Sequence, residues 1–419
     1  MVTVPSLWRI WACLGFSVQH LSTRLSFSQA ASGSVSGVFV PFFSASLAFR
    51  GLSADQIGLL LSTALILRAL AGPLSGIFAD ARNDRRFVML VLYWVMLAGF
   101  GSLCLVGSPL LIFLVAVPAY VAYGAATPLL ESVSVRLSER YGFDYGRVRI
   151  WASTAFVCMN VAGGVLVKYL SLGAIAPLLA LAAAACVVST LLLPTPPANG
   201  SSGVPLSKRL KATLAETREL ARSQVFLIFL AAASFEQSSH AFYYGYGGLH
   251  WRSLGYSELL IGLIWPLGVL AEIALFSVAI QVQARVRPST LLLIGAAFCA
   301  VRWTILAFDP PLSLVIFAQF LHGGTFAIAH LGAVFFILRA VPQRLAATAQ
   351  SLYYMSSQGV MMGIMTMVGG AVYASWGGKV YLISAGLGVI AMGFAWLLAT
   401  RWQGERIIHG EEEEAIDTI

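Results

Sequence analysis

Long apolar runs, each closed by a short polar stretch, recur along the whole chain. Twelve of them reach about 18 residues or more, enough for a helix to cross a ~30 Å hydrocarbon core. They occupy 26–49, 56–79, 87–107, 110–135, 149–169, 174–193, 223–247, 258–281, 289–308, 312–337, 346–373 and 380–400. The pattern predicts an all-α polytopic membrane protein. One polar interruption is long: "PTPPANGSSG" reads as flexible and non-helical, and "KRLKATLAETRELAR" reads as an amphipathic basic helix on the cytoplasmic surface. The chain thus divides into an N-terminal extension (1–25), a six-helix bundle (26–193), a central cytoplasmic loop (194–222), a second six-helix bundle (223–401) and an acidic tail (402–419) containing "EEEE". The extension shows no convincing cleavage site, so it reads as uncleaved or as a start codon assigned too early.

The two bundles resemble each other. "GLSADQIGLL" begins at Gly51 and "GYSELLIGLI" at Gly255, each before the second span of its half. The match pairs Gly58 with Gly262 and, carried forward, Arg68 with Glu272. A parallel six-plus-six repeat with polar groups at equivalent depths is expected of transporters that rock two bundles around a central site.

Composition strengthens this picture. Hydrophobic residues make up 58% of the chain and charged ones 11%, against about 25% charged in soluble domains. The net charge of +8 is not a nucleic-acid signal. Only Arg50, Lys168, Arg252 and Lys379 fall outside and Arg68 and Arg302 within spans; the other basic residues lie on segments that are cytoplasmic if the N-terminus is. Both termini are therefore expected in the cytoplasm, and a helical architecture suits a bacterial inner membrane. The five cysteines stand singly in apolar surroundings, which predicts neither a disulfide framework nor a metal site.

An ionisable side chain near the bilayer centre costs ~2.5–3.5 kcal/mol on insertion scales and is functional by default. Arg68, Glu236, Glu272, Arg302 and His322 fall ~14–23 Å from their helices' inner ends at about 1.5 Å per residue, hence near the midplane. "FLHGGTFAIAH" holds two histidines, His322 and His330, eight residues apart. That is ~12 Å along a helix, too far to share a metal, and neither H-E-x-x-H nor CxxC occurs. His322 shares its depth with Glu272 and Arg302, so the three form a candidate proton-coupling cluster. His330, nearer the cytoplasm, has two open readings: a hydrogen-bonded packing residue or a functional one. Glu236 and His240, four apart on one face, are either a second proton-binding pair or a bond holding a helix interface. In "AFYYGYGGLHW" the outer aromatics read as an interfacial belt, while the deeper Tyr243 and Tyr244 can flank a substrate. Arg68 is too central to snorkel and is expected to face a cavity, against a carboxylate of protein or solute. "GPLSG" (72–76) and "GVMMG" (359–363) have close-packing spacing, common by chance in chains this rich in glycine.

"DYGRVRIWASTAFV" (144–157), "SSHAFYYG" (238–245), "GVLAEIALF" (268–276), "VRW" (301–303) and "LHGGTFAIAH" (321–330) together resemble the 3-phenylpropionate-permease group of the major facilitator superfamily, related to lactose-permease-type proton symporters. The resemblance runs from about Ser22 onward and implies a twelve-helix monomer. It also implies roles: Glu131 and Arg149 hold substrate, Glu272 joins substrate binding to protonation, and Arg302 and His322 belong to the coupling network. The carboxylate expected one turn after His322 is missing, and Phe156 stands where the sugar permeases stack a Trp. That exchange favours an aromatic or apolar solute over a sugar. In "GIFADARNDRR" (76–86), Gly76, Asp80, Arg85 and Arg86 fit the superfamily's loop motif, while Ala81, Asn83 and Asp84 depart from it. Asp80 with Arg85 and Arg86 can form a charge-assisted latch; a basic loop that only sets topology is the alternative.

The expected activity is proton-coupled import of a small organic solute, contacted by Arg68, Glu131, Arg149, Phe156, Glu236, His240, Tyr243 and Tyr244. A phenylpropionate-like acid is one candidate; oligosaccharides and nucleosides are others. The coupling ion is the proton, with no cofactor and no nucleic-acid partner. A proton-driven exporter and a transporter-like sensor are the rivals. A hydrolase is disfavoured, since "GSVSG" (33–37) is no nucleophile elbow and no Ser/His/Asp set stands out.

Overall fold

A computed structural model describes residues 18–82, 84–194, 206–279, 281 and 285–408. The N-terminal half contains α1 (Val18–Phe49), α2 (Ala54–Arg82), α3 (Arg85–Leu103), α4 (Pro109–Tyr141), α5 (Tyr145–Leu170) and α6 (Ile175–Leu192). A surface helix, α7 (Leu206–Ala221), leads to the second half. That half contains α8 (Gln224–Ser253), α9 (Glu258–Phe276), α10 (Pro288–Leu306), α11 (Leu312–Ala340), α12 (346–376) and α13 (Tyr381–Arg401). Eleven continuous helical stretches are long and apolar enough to cross a membrane. The last is 59 residues long, or ~90 Å at 1.5 Å per residue, far more than one crossing. A tight turn at Gly377–Val380, begun by Gly377 at φ 51°, divides it into α12 and α13. The described residues therefore contain twelve spans. Large apolar side chains on the outside, such as Trp94, Leu181 and Trp396, are more than half exposed, as lipid-facing surfaces are.

The repeat is visible in the backbone. Gly51 and Gly255 take φ of +88° and +85°, a region that favours glycine. Ser53 and Ser257 then cap the next helices, accepting from the amides of Gln56 and Leu260 at 3.3 Å each. One turn further, Gly58 of α2 meets Gly370 of α12, and Gly262 of α9 meets the Asn160 carbonyl of α5. A Cβ on Gly58 would lie 2.9 Å from the Gly370 Cα, and one on Gly262 2.4 Å from the Asn160 oxygen. Equivalent glycines thus let each half approach the other by an equivalent helix pair. Closer to the midplane, Gly359 and Gly363 of "GVMMG" press on Ala69 and Ile66 of α2, whereas Gly72 and Gly76 of "GPLSG" meet nothing within 4 Å.

Several boundaries differ from the expectation. The first helix begins at Val18 rather than 26, and Arg24 ties its N-terminal end to the Leu192 carbonyl at 3.1 Å. Residues 402–408 fold back on the second half: Trp402 is buried against Phe336, and the Ile407 amide bonds the Ala340 carbonyl. The linker 195–205 and the tetraglutamate lie outside the described residues. Tyr246 and Trp251 are buried rather than forming an interfacial belt, because this end of α8 packs between the halves.

Candidate functional site

Aromatic residues, a single arginine and one charged cluster meet between the halves. A cavity of about 410 Å³ is walled on one side by Phe39, Arg68, Tyr120 and Phe156, and on the other by Tyr243, Tyr244, Trp265, Glu272 and His322. Residues of both repeats thus face one space, including the matched pair Arg68 and Glu272.

Arg68 reaches the cavity across a notch. Gly124 of α4 leaves room for its stem; a Cβ there would lie 1.9 Å from the Arg68 Cδ. The guanidinium then sits 5.4 Å from the Tyr120 ring centroid and donates to the Tyr120 hydroxyl at 3.2 Å. A second donor points at the Gln358 carbonyl of α12, 3.5 Å away. Tyr120 is itself stacked on Phe39 at 4.1 Å. No carboxylate among the described residues pairs with Arg68, so its charge is free to meet an anion in the cavity.

Opposite it, three side chains form a chain. The His322 Nε2 lies 2.8 Å from a Glu272 carboxylate oxygen, and its Nδ1 lies 2.7 Å from the Arg302 Nη1. A guanidinium has only donors, so Nδ1 accepts and the His322 hydrogen sits on Nε2, aimed at Glu272. The structure brings all three predicted residues together, with His322 standing between the acid and the arginine. Arg302 is buried, donating also to Thr325 (3.2 Å) and Gln319 (3.3 Å) and lying over the rings of Trp303 and Tyr243 at 4.4 and 4.7 Å. Tyr243 donates to Gln319 at 2.7 Å. Helix α11 turns as a π-helix over Gly323–Ile328, directly after His322. Such turns recur at functional sites.

Glu236 and His240 do not line this cavity; Gln237 does. Both are buried behind its wall, because α8 breaks at Ser239–His240 and turns them into the bundle. His240 bonds the Thr325 hydroxyl at 3.0 Å and the Gln237 carbonyl at 3.2 Å, joining α8 to α11. Glu236 accepts from Gln237 at 2.9 Å and from the Cys299 thiol at 3.4 Å. Cys299 therefore has a polar setting that its apolar sequence context did not suggest. Ligand atoms of Glu236, His240 and Cys299 come within 4.8 Å of one another. The Arg302 charge, one hydroxyl away from His240, opposes a metal cation there.

Glu131 and Arg149 pair with each other at 2.8 Å, and Tyr145 and Gln29 also bond the carboxylate. They lie outside the cavity wall. Eleven and seven residues separate them from the cavity residues Tyr120 and Phe156, ~10–17 Å along their helices toward the end that the basic residues assign to the cytoplasm. Their side chains are 30% and 43% exposed. Of the proposed latch, Arg85 donates to Ser132 of α4, and Arg86 donates to the carbonyls of Thr190 (3.1 Å) and Leu191 (2.7 Å) at the end of α6. The Asp80 side chain lies outside the described residues.

Phe39, Tyr120, Trp265, Gln319 and Thr325 escaped the sequence reading. Gln319 and Thr325 flank His322 and are detectable as polar interruptions once amides and hydroxyls are counted with ionisable groups. The aromatics carry no such signal, since lipid and cavity accept them equally.

Residues 32–383 match the model of the MFS_1 like family. Among curated proteins, the chain is 30% identical to the "Probable 3-phenylpropionic acid transporter" of Escherichia coli (strain K12) over 364 residues, covering 85% of this chain and 92% of that one. It is 29% identical to the "Maltose permease" of Geobacillus stearothermophilus, covering 84% and 87% of the two chains. Among solved structures, the nucleoside transporter NupG superposes with a TM-score of 0.76 at 17% identity, over 91% of this chain and all of that one. The D-xylose-proton symporter superposes with a TM-score of 0.69 at 16% identity, over 93% and 99%.

Proposed function

This chain belongs to the MFS_1-like family of the major facilitator superfamily, and on that premise we propose that it imports an aromatic carboxylic acid together with a proton. It is a multi-pass membrane protein and a secondary transporter, not an enzyme. The observation that carries the finer reading is Arg68, a cation without a carboxylate partner among the described residues, in an aromatic cavity and facing the Glu272–His322–Arg302 chain. The arginine binds the solute carboxylate; Phe39, Tyr120 and Phe156 cover its ring. The relative named for 3-phenylpropionic acid supports that substrate class.

Charge balance supplies the coupling. The empty carrier holds two arginines against an ionised Glu272. Binding an anion removes one positive charge, and protonating Glu272 restores it. The loaded protonated carrier and the empty unprotonated one therefore bear the same charge, so neither leg of the cycle takes extra charge through the low-dielectric midplane. A proton without the anion would raise that charge and is disfavoured. His322 transmits the change, since its Nε2–H contacts Glu272 and its Nδ1 holds Arg302. The termini lie in the cytoplasm of a bacterial cell whose inner membrane holds the protein as a monomer, and the proton gradient drives uptake.

External pH in weakly buffered, de-energised cells tests both parts. Adding 3-phenylpropionate is expected to alkalinise the medium in cells expressing the protein and not in control cells or in Glu272→Gln cells. Alkalinisation by maltose or a nucleoside instead would replace the aromatic acid with that class. No alkalinisation by any solute, with expression verified, would end the symport reading and favour proton-driven export.

A further inference from the structure

His330 has no part in the chain just described, yet its surroundings are built around it. Four aromatic rings surround the imidazole: Phe276 of α9 at 6.2 Å, Phe326 of its own helix at 6.0 Å, and Tyr353 and Tyr354 of α12 at 6.3 Å each. Phe326 is sandwiched, stacking on His330 at 10° and on His322 at 29°. The sequence His322, Phe326, His330 is thus a ladder down one face of α11. On α9, Glu272 faces His322 and Phe276 faces His330, one turn apart. The Nδ1 of His330 lies 3.4 Å from the Tyr353 hydroxyl, while Nε2 has no hydrogen-bond partner among the described residues. The imidazole is only partly buried, and it is eight residues nearer than His322 to the end that the basic residues assign to the cytoplasm.

We propose that His330 is the group through which the proton leaves Glu272 for the cytoplasm, an inference that rests on the proton-symport reading. The O–H bond of the Glu272 carboxyl breaks as its proton passes to an intervening water, which gives up one of its own protons as an N–H bond forms at the unpartnered Nε2 of His330. Nδ1 keeps its hydrogen toward Tyr353. The imidazolium is held over aromatic faces, which attract a cation by their quadrupole, until the same N–H bond gives its proton to bulk water. Glu272 is thereby left ionised and paired with His322, the state of the empty carrier. The charged and titratable groups around His330 suit this role: Glu272 from α9 acts on it electrostatically, Tyr353 and Tyr354 face it from α12, and His322 is screened from it by Phe326. A proton cannot pass directly between the two imidazoles while that ring separates them, so the carboxyl of Glu272 is the donor.

Exchange of labelled for unlabelled solute needs no proton release, whereas net solute-driven proton movement does. Both fluxes would be measured in proteoliposomes for the natural protein, His330→Gln and His330→Asn, with thermal unfolding as the check on folding. The amides can still bond Tyr353 but cannot carry the proton. Net flux is expected to fall about a hundredfold or more relative to exchange, the scale of a lost acid–base group, with raised internal pH restoring part of it. Parallel loss of both fluxes in stably folded variants, or no change in their ratio, would overturn the proposal. Natural protein whose net uptake ignores an imposed pH gradient would instead remove the symport reading beneath it.

Discussion

Arg68 owes its position to an absent side chain. Its stem passes where a Cβ of Gly124 would stand, 1.9 and 2.1 Å from Cδ and Cγ. A Gly124→Ala substitution must therefore displace the arginine from Tyr120 rather than merely crowd it. Overpacking of this kind costs about 1–3 kcal/mol, and the loss should appear in anion binding, as a rise in KM of about tenfold for the aromatic acid. Uptake rates across substrate concentrations would measure it, and an unchanged KM would mean that Arg68 does not hold the solute. The sequence made Arg68 conspicuous, because a central arginine in an apolar helix is expensive. It left Gly124 silent, because a glycine in a glycine-rich membrane helix has many ordinary explanations. The same asymmetry runs through the site. Glu272, Arg302 and His322 were legible by charge and depth, yet depth alone did not distinguish them from Glu236 and His240, which a break in α8 turns away from the cavity.

At the scale of elements, hydropathy located the spans because each must hide its backbone from lipid, and it was blind to how the helices deviate from ideality. The π-turns at Gly323–Ile328 and Met355–Met361 leave the apolar pattern unchanged while rotating the residues that follow them. Helix α7 was legible as amphipathic, but not the way its charges divide. Its acids turn inward, Glu219 to Arg344 through two bonds of 2.9 and 2.5 Å and Glu216 to Thr348, while Lys208, Lys211 and Arg218 are exposed. The Arg344 guanidinium holds the Glu219 carboxyl below its ordinary value. A depressed carboxyl contributes stability above its unfolded pKa, about 4.3, and loses it as pH falls through the lower folded value. The clamp should thus be intact at pH 7 and released only in acid, once pH falls through that lowered value. Amide exchange across 206–222 reports this directly: protection is expected to fall on acidification, and Arg344→Gln should show the acid behaviour at pH 7. Equal protection in both proteins at both pH values would show that α7 is held by its apolar contacts alone.

The whole molecule is held shut at one end by backbone meeting backbone. Besides Gly58 on Gly370 and Gly262 on Asn160, a Cβ on Gly248 would lie 2.0 Å from the Pro41 carbonyl, and Ser44 donates to the Gly245 carbonyl at 2.5 Å. All of these join the halves at the end assigned to the outside, while Glu131 and Arg149, toward the other end, are partly exposed. Contacts this close leave no room for gradual adjustment: a side chain at a crossing must keep the helices apart. Because the halves repeat, Gly58 and Gly262 hold equivalent positions, and rocking about a two-fold axis predicts the same consequence for either. Gly58→Trp and Gly262→Trp should each prevent closure of the outer end. A cysteine replacing Phe156 on the cavity wall, in a background lacking the native cysteines, would then be labelled by an impermeant maleimide from outside. Labelling is expected to rise on the order of tenfold in both variants as the population shifts, with net transport lost. A rise in only one variant would mean that the two helix pairs open independently, and the symmetric rocking motion would have to be replaced by an asymmetric gate.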